Sequence, residues 1–411
     1  MKHFLSFTGL LLFCFFSNAQ TDNKIILGTI DTIDSKILHE KRKVWVYVPN
    51  SGTDGIYAKQ HYPVVYLLDG DAHFYSVVGM IQQLSSVNGN TICPEMIVVG
   101  IPNTDRTRDL TPTHIIVDPP YMDSNFSKTS GGGEQFTSFI EKELMPYIDS
   151  AYPTQPYKML IGHSFGGLLV INTLLHHPNL FDAYIAIDPS MWWDHQHFLS
   201  QTKEAIEKQS FQGKSLFLGI ANTMDVGMDT LRVQKDTTSQ SRHIRSILAL
   251  NNYLGANQKN QLKFQTKYYN DDDHGSVPLV AEYDALHFIF GYYPLKLTFN
   301  DYANMGKSVI AKIEKHYEEI SKQFGYKVNI PESMVNGLGY RALSTKDYEA
   351  AEYLFRMNTL NYPGSFNVFD SFGDYYDAKG EKAKAIENFK KALSIKEVAD
   401  TRKKLEKLEG K

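Results

Sequence analysis

Residues 157–177 read YKMLIGHSFGGLLVINTLLHH. The first five, Tyr157 to Ile161, are a short apolar run that stops at a glycine. An unalternating run of this kind suits a strand covered on both faces. Gly162-His163-Ser164-Phe165-Gly166 then forms a tight turn, and Gly166 to His177 has the pattern of a buried helix. Glycine and serine are common enough that the G-x-S-x-G spacing alone carries little weight. The strand before it and the helix after it are what a serine lifted clear of a sheet edge requires.

Similar runs lie on either side. Tyr62–Leu68 (YPVVYLL), Met96–Ile101 (MIVVGI), Ala183–Ile187 (AYIAI) and Ser215–Ile220 (SLFLGI) are apolar and end at turn residues. Ser35–Pro49 closes with Val44, Val46 and Val48 on one face and Trp45 and Tyr47 on the other, a period-two pattern that predicts a strand. Gln261–Tyr269 reads as a further strand, and Glu134–Ile148 as a helix. Strands alternating with helices predict an α/β fold: a mostly parallel central sheet flanked by helices, joined by right-handed crossovers. This region extends to about Pro294.

The two ends differ from the middle. Lys2 and His3 precede an apolar run from Phe4 to Phe16, followed by Ser17-Asn18-Ala19. A short basic start, an apolar stretch too short to span a bilayer and a small-x-Ala site predict a secretory leader over 1–19, hence export to the periplasm or beyond. Cleavage there leaves Cys93 as the sole cysteine, so the exported chain is expected to rely on its core rather than on an internal disulfide. No other run is long and apolar enough to predict a membrane span. From about Val335 the pattern is helical and repeats: Gly339, Ala351 and Phe355 recur as Gly373, Ala385 and Phe389, each 34 residues later. That period resembles the tetratricopeptide repeat. Two units are fewer than the three usually needed for independent stability, so the tail is expected to pack on the α/β domain or to recruit Asp301–Lys322 as an extra helix. The expected divisions are a leader over 1–19, an α/β domain over 20–297, a helical linker over 298–334 and a helical repeat over 335–411.

Forty-two basic and 46 acidic residues among 411 give a net charge of −4. Such a balance gives no support to nucleic-acid binding, which needs concentrated positive charge. The 42% hydrophobic content is that of a folded globular chain.

Ser164 is the candidate nucleophile. His274, in Asn270-Asp271-Asp272-Asp273-His274-Gly275-Ser276 after the last strand, is the candidate base. Its place C-terminal to the serine fits the order nucleophile, acid, histidine. The orienting acid is expected on the loop after Ser215–Ile220, where Asp225 is the first choice and Asp229 and Asp236 remain open. An oxyanion would be held by the Phe165 amide and by the Gly70–Asp71 turn after Tyr62–Leu68. Arg106 and Arg108 are candidate pocket residues for an anionic substrate, or else ion-pair partners of Asp105 and Asp109. Trp192 and Trp193 are candidate walls for an acyl group. Neither a metal nor a cofactor is expected.

Taken with GHSFGG, the segments YLLDGD, TDRTRDLTP (Thr104–Pro112), the Gly131–Gly133 run, PSMWWD (Pro189–Asp194) and DHGSVP resemble the esterase D and enterochelin-esterase-like branch of the α/β-hydrolases. The resemblance covers about residues 30–295. It implies a serine esterase that cleaves carboxylic esters through an acyl-enzyme on Ser164, with no metal. Its substrates would be small-molecule or polysaccharide-linked esters, siderophore trilactones among them. Many of these relatives carry a glutamate after the penultimate strand, where this chain offers aspartates. The alternative is a non-catalytic binding protein or scaffold on the same fold, using the helical repeat to contact a protein partner.

Overall fold

The computed structural model describes residues 24–50, 55–121, 123–303 and 306–411. The expected leader lies outside the described residues. Eight strands form one sheet in the order β1-β2-β4-β3-β5-β6-β7-β8. They are β1 (Thr29–Ser35), β2 (Glu40–Tyr47), β3 (Tyr62–Leu68), β4 (Ile97–Ile101), β5 (Thr154–His163), β6 (Ala183–Ile187), β7 (Ser215–Ala221) and β8 (Lys263–Tyr269). β1 and β2 pair antiparallel, as do β2 and β4, and every later pairing is parallel.

Every residue of β3, β4 and β6 is buried, which is why their sequences show no alternation. The pleat still divides them between two layers. Val64, Tyr66 and Leu68 enter a core with the helices Phe165–His176, His197–Lys208 and Arg242–Ala256. Val65 and Leu67 enter the opposite core with Gly70–Ser85 and Val277–Ile289. Edge strand β8 alternates instead, with Lys263 and Lys267 exposed, and charges on an edge discourage pairing with another chain.

The sequence predicts one strand over Ser35–Pro49, and the structure has two. β1 ends at Ser35 and β2 begins at Glu40 after a turn containing His39 at φ 54°. The TIDTIDS of β1 pairs with β2 along its length, so partner strand rather than hydrophobic pattern holds it.

Beyond the sheet, the helix Lys307–Phe324 joins the two parts of the chain. Ile320 and Phe324 enter the second sheet core, where the Phe324 ring lies 4.9 Å from that of Tyr157. Val309, Ile310 and Ile313 pack instead with Val335, Ala350 and Leu354. Five more helices follow: Glu332–Ser344, Tyr348–Asn361, Phe366–Ala378, Lys382–Ile395 and Ala399–Glu409. The small residues at the repeated positions have a visible purpose. A methyl group on Gly339 would lie 2.7 Å from the Phe355 ring, and one on Gly373 would lie 2.5 Å from the Phe389 ring. Among the described residues, no helix is long and apolar enough to cross a membrane.

Candidate active site

At the end of β5 the chain reverses through Ser164, held at φ 59° and ψ −114°, and the helix Phe165–His176 starts at the next residue. Positive φ on a residue with a side chain costs of order 1–3 kcal/mol and persists where the surroundings enforce it. The neighbouring glycines explain how they do so. A methyl on Gly162 would sit 2.4 Å from the Gly166 carbonyl, and one on Gly167 would sit 3.0 Å from Ile187 O and from Pro189. The turn thus closes against itself and against the end of β6. Ser164 N donates to Ile187 O at 3.0 Å, and Ser164 O accepts from Ser190 N at 3.1 Å and Leu168 N at 2.9 Å. Its Oγ lies 3.4 Å from Ser190 Oγ.

Ser164 opens onto a cavity of about 460 Å³. His274 and His243 stand on one wall, and Tyr121, Phe126, Phe165 and Trp192 supply aromatic surface. The His274 loop is set by its own polar groups: Asp273 Oδ1 accepts from Gly275 N and Ser276 N, and Ser276 Oγ donates to Asp272 Oδ1. Asn222 N donates to Asp272 O, tying this loop to the end of β7. His274 and Ser164 thus share a cavity without a direct hydrogen bond between them, and catalytic contacts are often loose before substrate binds.

The carboxylate against His274 is Asp188. His274 Nδ1 donates to Asp188 Oδ2 at 2.6 Å, and Ala221 N donates to Asp188 Oδ1 at 3.0 Å. Asp188 is completely buried at the first position after β6, at φ 41°. Burial by itself would push its carboxyl up. The charge and hydrogen bond of His243 and the hydrogen bond of His274 more than offset that and hold it well below the usual carboxylate range.

None of the three aspartates expected in this role is the carboxylate bonded to His274. Asp225 is exposed, and Asp229 and Asp236 accept from backbone groups of their own loop, at Leu231 N, Arg232 N and Thr238 N. The loop after β7 leaves Asp225 and Asp229 exposed, whereas Asp188 directly follows β6 and reaches the imidazole from there. The signal lay beside a quoted motif, since Asp188 is the residue before PSMWWD. Ser190, within PSMWWD, also lines the cavity, as do His243, Thr223 and Gln240, which carry no sequence pattern that sets them apart.

Among the expected oxyanion groups, Phe165 lines the cavity and its N–H is the first of its helix. Gly70 and Asp71 begin the helix Gly70–Ser85. Gly70 packs against Gly100 and Ile101, and Asp71 Oδ1 accepts from Asn103; neither residue lines the cavity, and what they could offer it is a backbone N–H from the first turn of their helix.

The two arginines part company. Arg106 lines the cavity, but its guanidinium is paired with Asp69, Nε to Oδ1 at 2.7 Å and Nη2 to Oδ2 at 3.0 Å. It also lies over the Phe165 ring at 5.2 Å. Burial works to raise the Asp69 carboxyl, and the Arg106 pairing keeps it below its ordinary value. Arg108 is turned away from the cavity into a two-pronged pair with Glu40, at 3.1 and 2.7 Å, and a 2.7 Å bond to Asp109. It is therefore a structural ion-pair residue. Trp192 lines the cavity and stacks on Tyr121 with ring centroids 4.5 Å apart. Trp193 is fully buried, with Nε1 donating to Thr113 Oγ1 at 3.0 Å, which makes it core rather than wall.

Asp188, His243 and His274 place three donor atoms within 4.8 Å of one another. Both imidazoles direct an N–H at the one carboxylate oxygen, so hydrogen bonding accounts for the cluster. His163, beside the serine, is pushed down to about 3, by burial first and by His274 second, and stays neutral.

The family model described as "Putative esterase" matches residues 35–285. A crystal structure of an IroE-like serine hydrolase from Shewanella oneidensis is similar at a TM-score of 0.66 and 30% identity, covering 81% of this chain and 99% of that one. The siderophore enterobactin esterase of Emericella nidulans is 28% identical over 239 residues, 52% of this chain and 77% of the relative. The ferri-bacillibactin esterase BesA of Bacillus subtilis is 30% identical over 204 residues, 46% of this chain and 70% of the relative.

Proposed function

Because the chain belongs to the "Putative esterase" family and is a carboxylic ester hydrolase, we propose that it works as a serine esterase through Ser164, His274 and Asp188. The observation that carries this reading is the strained serine sharing one cavity with an imidazole whose other nitrogen is bound to a buried carboxylate.

With Nδ1 committed to Asp188, His274 has Nε2 left to accept the Ser164 proton. Ser164 Oγ attacks the ester carbonyl, and the imidazolium that forms is stabilised by Asp188. The oxyanion develops at the positive end of the helix Phe165–His176, where the Phe165 N–H donates to it. The Gly70–Asp71 turn supplies the second donor, in keeping with β3 packing against the elbow: a methyl on Gly166 would touch Leu68 and Asp69. His274 passes the proton to the departing alcohol, then takes one from a water that attacks the acyl-enzyme, and returns it to Ser164 Oγ as the C–O bond to the serine breaks and the acid leaves.

The substrate class proposed is a siderophore ester, the class named for the fungal and bacterial relatives. The aromatic surface of Tyr121, Phe126 and Trp192 offers flat contact for aryl groups of such a ligand. Polysaccharide-linked esters are the alternative class. Export through a leader over 1–19 places the enzyme in the periplasm or outside the cell. The divisions 20–297, 298–334 and 335–411 are retained, with the last as a tetratricopeptide-like unit that docks a protein partner. In its support, helix starts recur 34 residues apart, at Glu332 and Phe366 and at Tyr348 and Lys382. The test is hydrolysis of a cyclic catecholate trilactone and of p-nitrophenyl butyrate by the full mature chain and its Ser164→Ala variant. Ser164→Ala should lose at least about a thousandfold on both. An unchanged rate would overturn the mechanism, and cleavage of the simple ester alone would overturn the substrate class.

A further inference from the structure

Asp188 is shared between two histidines. His243, the second residue of the helix Arg242–Ala256, donates from Nε2 to Asp188 Oδ2 at 2.8 Å, the same oxygen that His274 uses at 2.6 Å. The two rings meet nearly edge to face, with centroids 5.2 Å apart at 86°. His243 is nearly buried, at 9% exposure. Its backbone N–H donates to the Tyr121 hydroxyl at 3.2 Å, and that hydroxyl's one hydrogen is shared between the carbonyls of Ser239 and Gln240, at 2.8 and 3.0 Å. The backbone of His243 is therefore anchored at Tyr121, and its ring is held through Nε2.

We propose that His243 is a positioning residue of the esterase site: it fixes the Asp188 carboxylate toward His274 and takes up part of its hydrogen-bonding capacity, so that the His274 imidazolium is stabilised only partly. This inference rests on the serine-esterase reading above.

Two details support it. First, His243 Nδ1 is buried and has no hydrogen-bond partner, so a proton there would lack an acceptor. His243 thus serves Asp188 as an Nε2–H donor. Second, a carboxylate that receives two donors on one oxygen and a third on the other is a weaker proton acceptor than one serving a single imidazole. Losing the His243 donor would concentrate Asp188 on His274 and make the His274 cation easier to form. A base that protonates more readily is idle over a wider range of mildly acidic pH. The other titratable groups facing His274 are His163 from the end of β5, with ring centroids 4.5 Å apart, and Asp273 on its own loop. His163 stays neutral, and Asp273 remains in all variants below. His243 itself is flanked by Arg242, which pairs with Asp118 at 2.5 Å, and by Tyr121.

The test uses the full mature chain with His243→Phe, which keeps a ring but removes the donor, and His243→Gln, whose amide nitrogen restores one. His243→Leu is the second donorless variant should the Phe protein fail to fold. Two readouts apply. One is kcat/KM for p-nitrophenyl butyrate from pH 5 to 9. The other is titration of the His274 ring by NMR in the Ser164→Ala background, which needs no turnover. The donorless variant should lose roughly tenfold or more in kcat and shift the acidic limb and the His274 titration upward by about half to one pH unit. His243→Gln should restore both toward the parent. A loss of rate with the limb and the titration unmoved would reduce His243 to packing and overturn the inference. If Ser164→Ala keeps esterase activity, the serine mechanism fails, while the NMR shift still decides the His243–Asp188–His274 coupling.

Discussion

Replacing Asp188 by asparagine should abolish turnover while leaving the fold almost intact, and the hydrogen bonds show why. Asparagine keeps an oxygen for Ala221 N. Its amide nitrogen offers two N–H groups where Asp188 Oδ2 accepted two, from His243 and His274. Both imidazoles can answer by moving their proton to the far nitrogen, which leaves the bonds to residue 188 made with inverted polarity. At His243 the proton then sits on Nδ1, which is buried without a partner. That one unsatisfied donor costs ~1–3 kcal/mol, a small loss for a fold of this size. His274 pays a chemical penalty instead: Nε2 now carries the proton and cannot take one from Ser164. Loss of the correct tautomer is worth roughly ten-thousandfold in kcat, or ~5 kcal/mol on the barrier. Steady-state hydrolysis of p-nitrophenyl butyrate at pH 7.5 should show that drop with KM nearly unchanged and with the melting temperature within a few degrees of the parent. Asp225→Asn in the same assay should stay within about twofold, since surface changes away from special features have small effects. If Asp188→Asn kept more than a tenth of parental kcat, or if Asp225→Asn lost as much, the assignment of the acid to the tip of β6 would be refuted.

Other outcomes follow from single residues. Burial pushes the Glu282 carboxyl from 4.5 up to about 8, so the folded chain holds a proton there that the unfolded chain releases above pH 4.5. By proton linkage, this group erodes stability as pH rises from about 4.5 to 8, and Glu282→Gln should melt higher than the parent at pH 8 and alike at pH 4. The depressed Asp188 carboxyl acts in the opposite sense: its contribution is present above the unfolded value and is lost as pH falls through the folded one, which acid denaturation of Asp188→Asn against parent would register. Gly373→Val puts carbon 2.5 Å from the Phe389 ring and should destabilise the C-terminal helices by about 1–3 kcal/mol, seen in thermal unfolding, with kcat on small esters retained. Deleting 335–411 would expose Val309, Ile310 and Ile313, which pack on Val335, Ala350 and Leu354, so the truncated chain should be less soluble even where its esterase activity survives.

The sheet was legible because parallel strands covered on both faces leave unbroken apolar runs, as YPVVYLL and AYIAI do. β1 was not, since TIDTIDS owes its strand form to pairing with β2 and carries almost no hydrophobic signal. The elbow was legible for a similar reason: Gly162 and Gly167 are forced by backbone within about 3 Å, and Gly166 faces the side chains of Leu68 and Asp69, so steric demand writes itself into the sequence of the turn. The placement of the acid was not. Which carboxylate meets His274 depends on where β6 ends relative to β8 across β7, a three-strand relation that no local pattern records. Arg106 and Arg108 show the same limit. Two residues apart on one short helix, they have partners 37 and 68 positions away, Asp69 and Glu40, and those partners decide that one faces the cavity and the other does not.

Covalent labelling of the folded mature chain with a fluorophosphonate, followed by mass spectrometry of its peptides, tests the central claim most directly. One phosphonyl group should appear on the peptide containing Ser164, and Ser164→Ala should abolish it. A folded chain that takes up no label, or one that carries it elsewhere and keeps it in Ser164→Ala, would contradict the account.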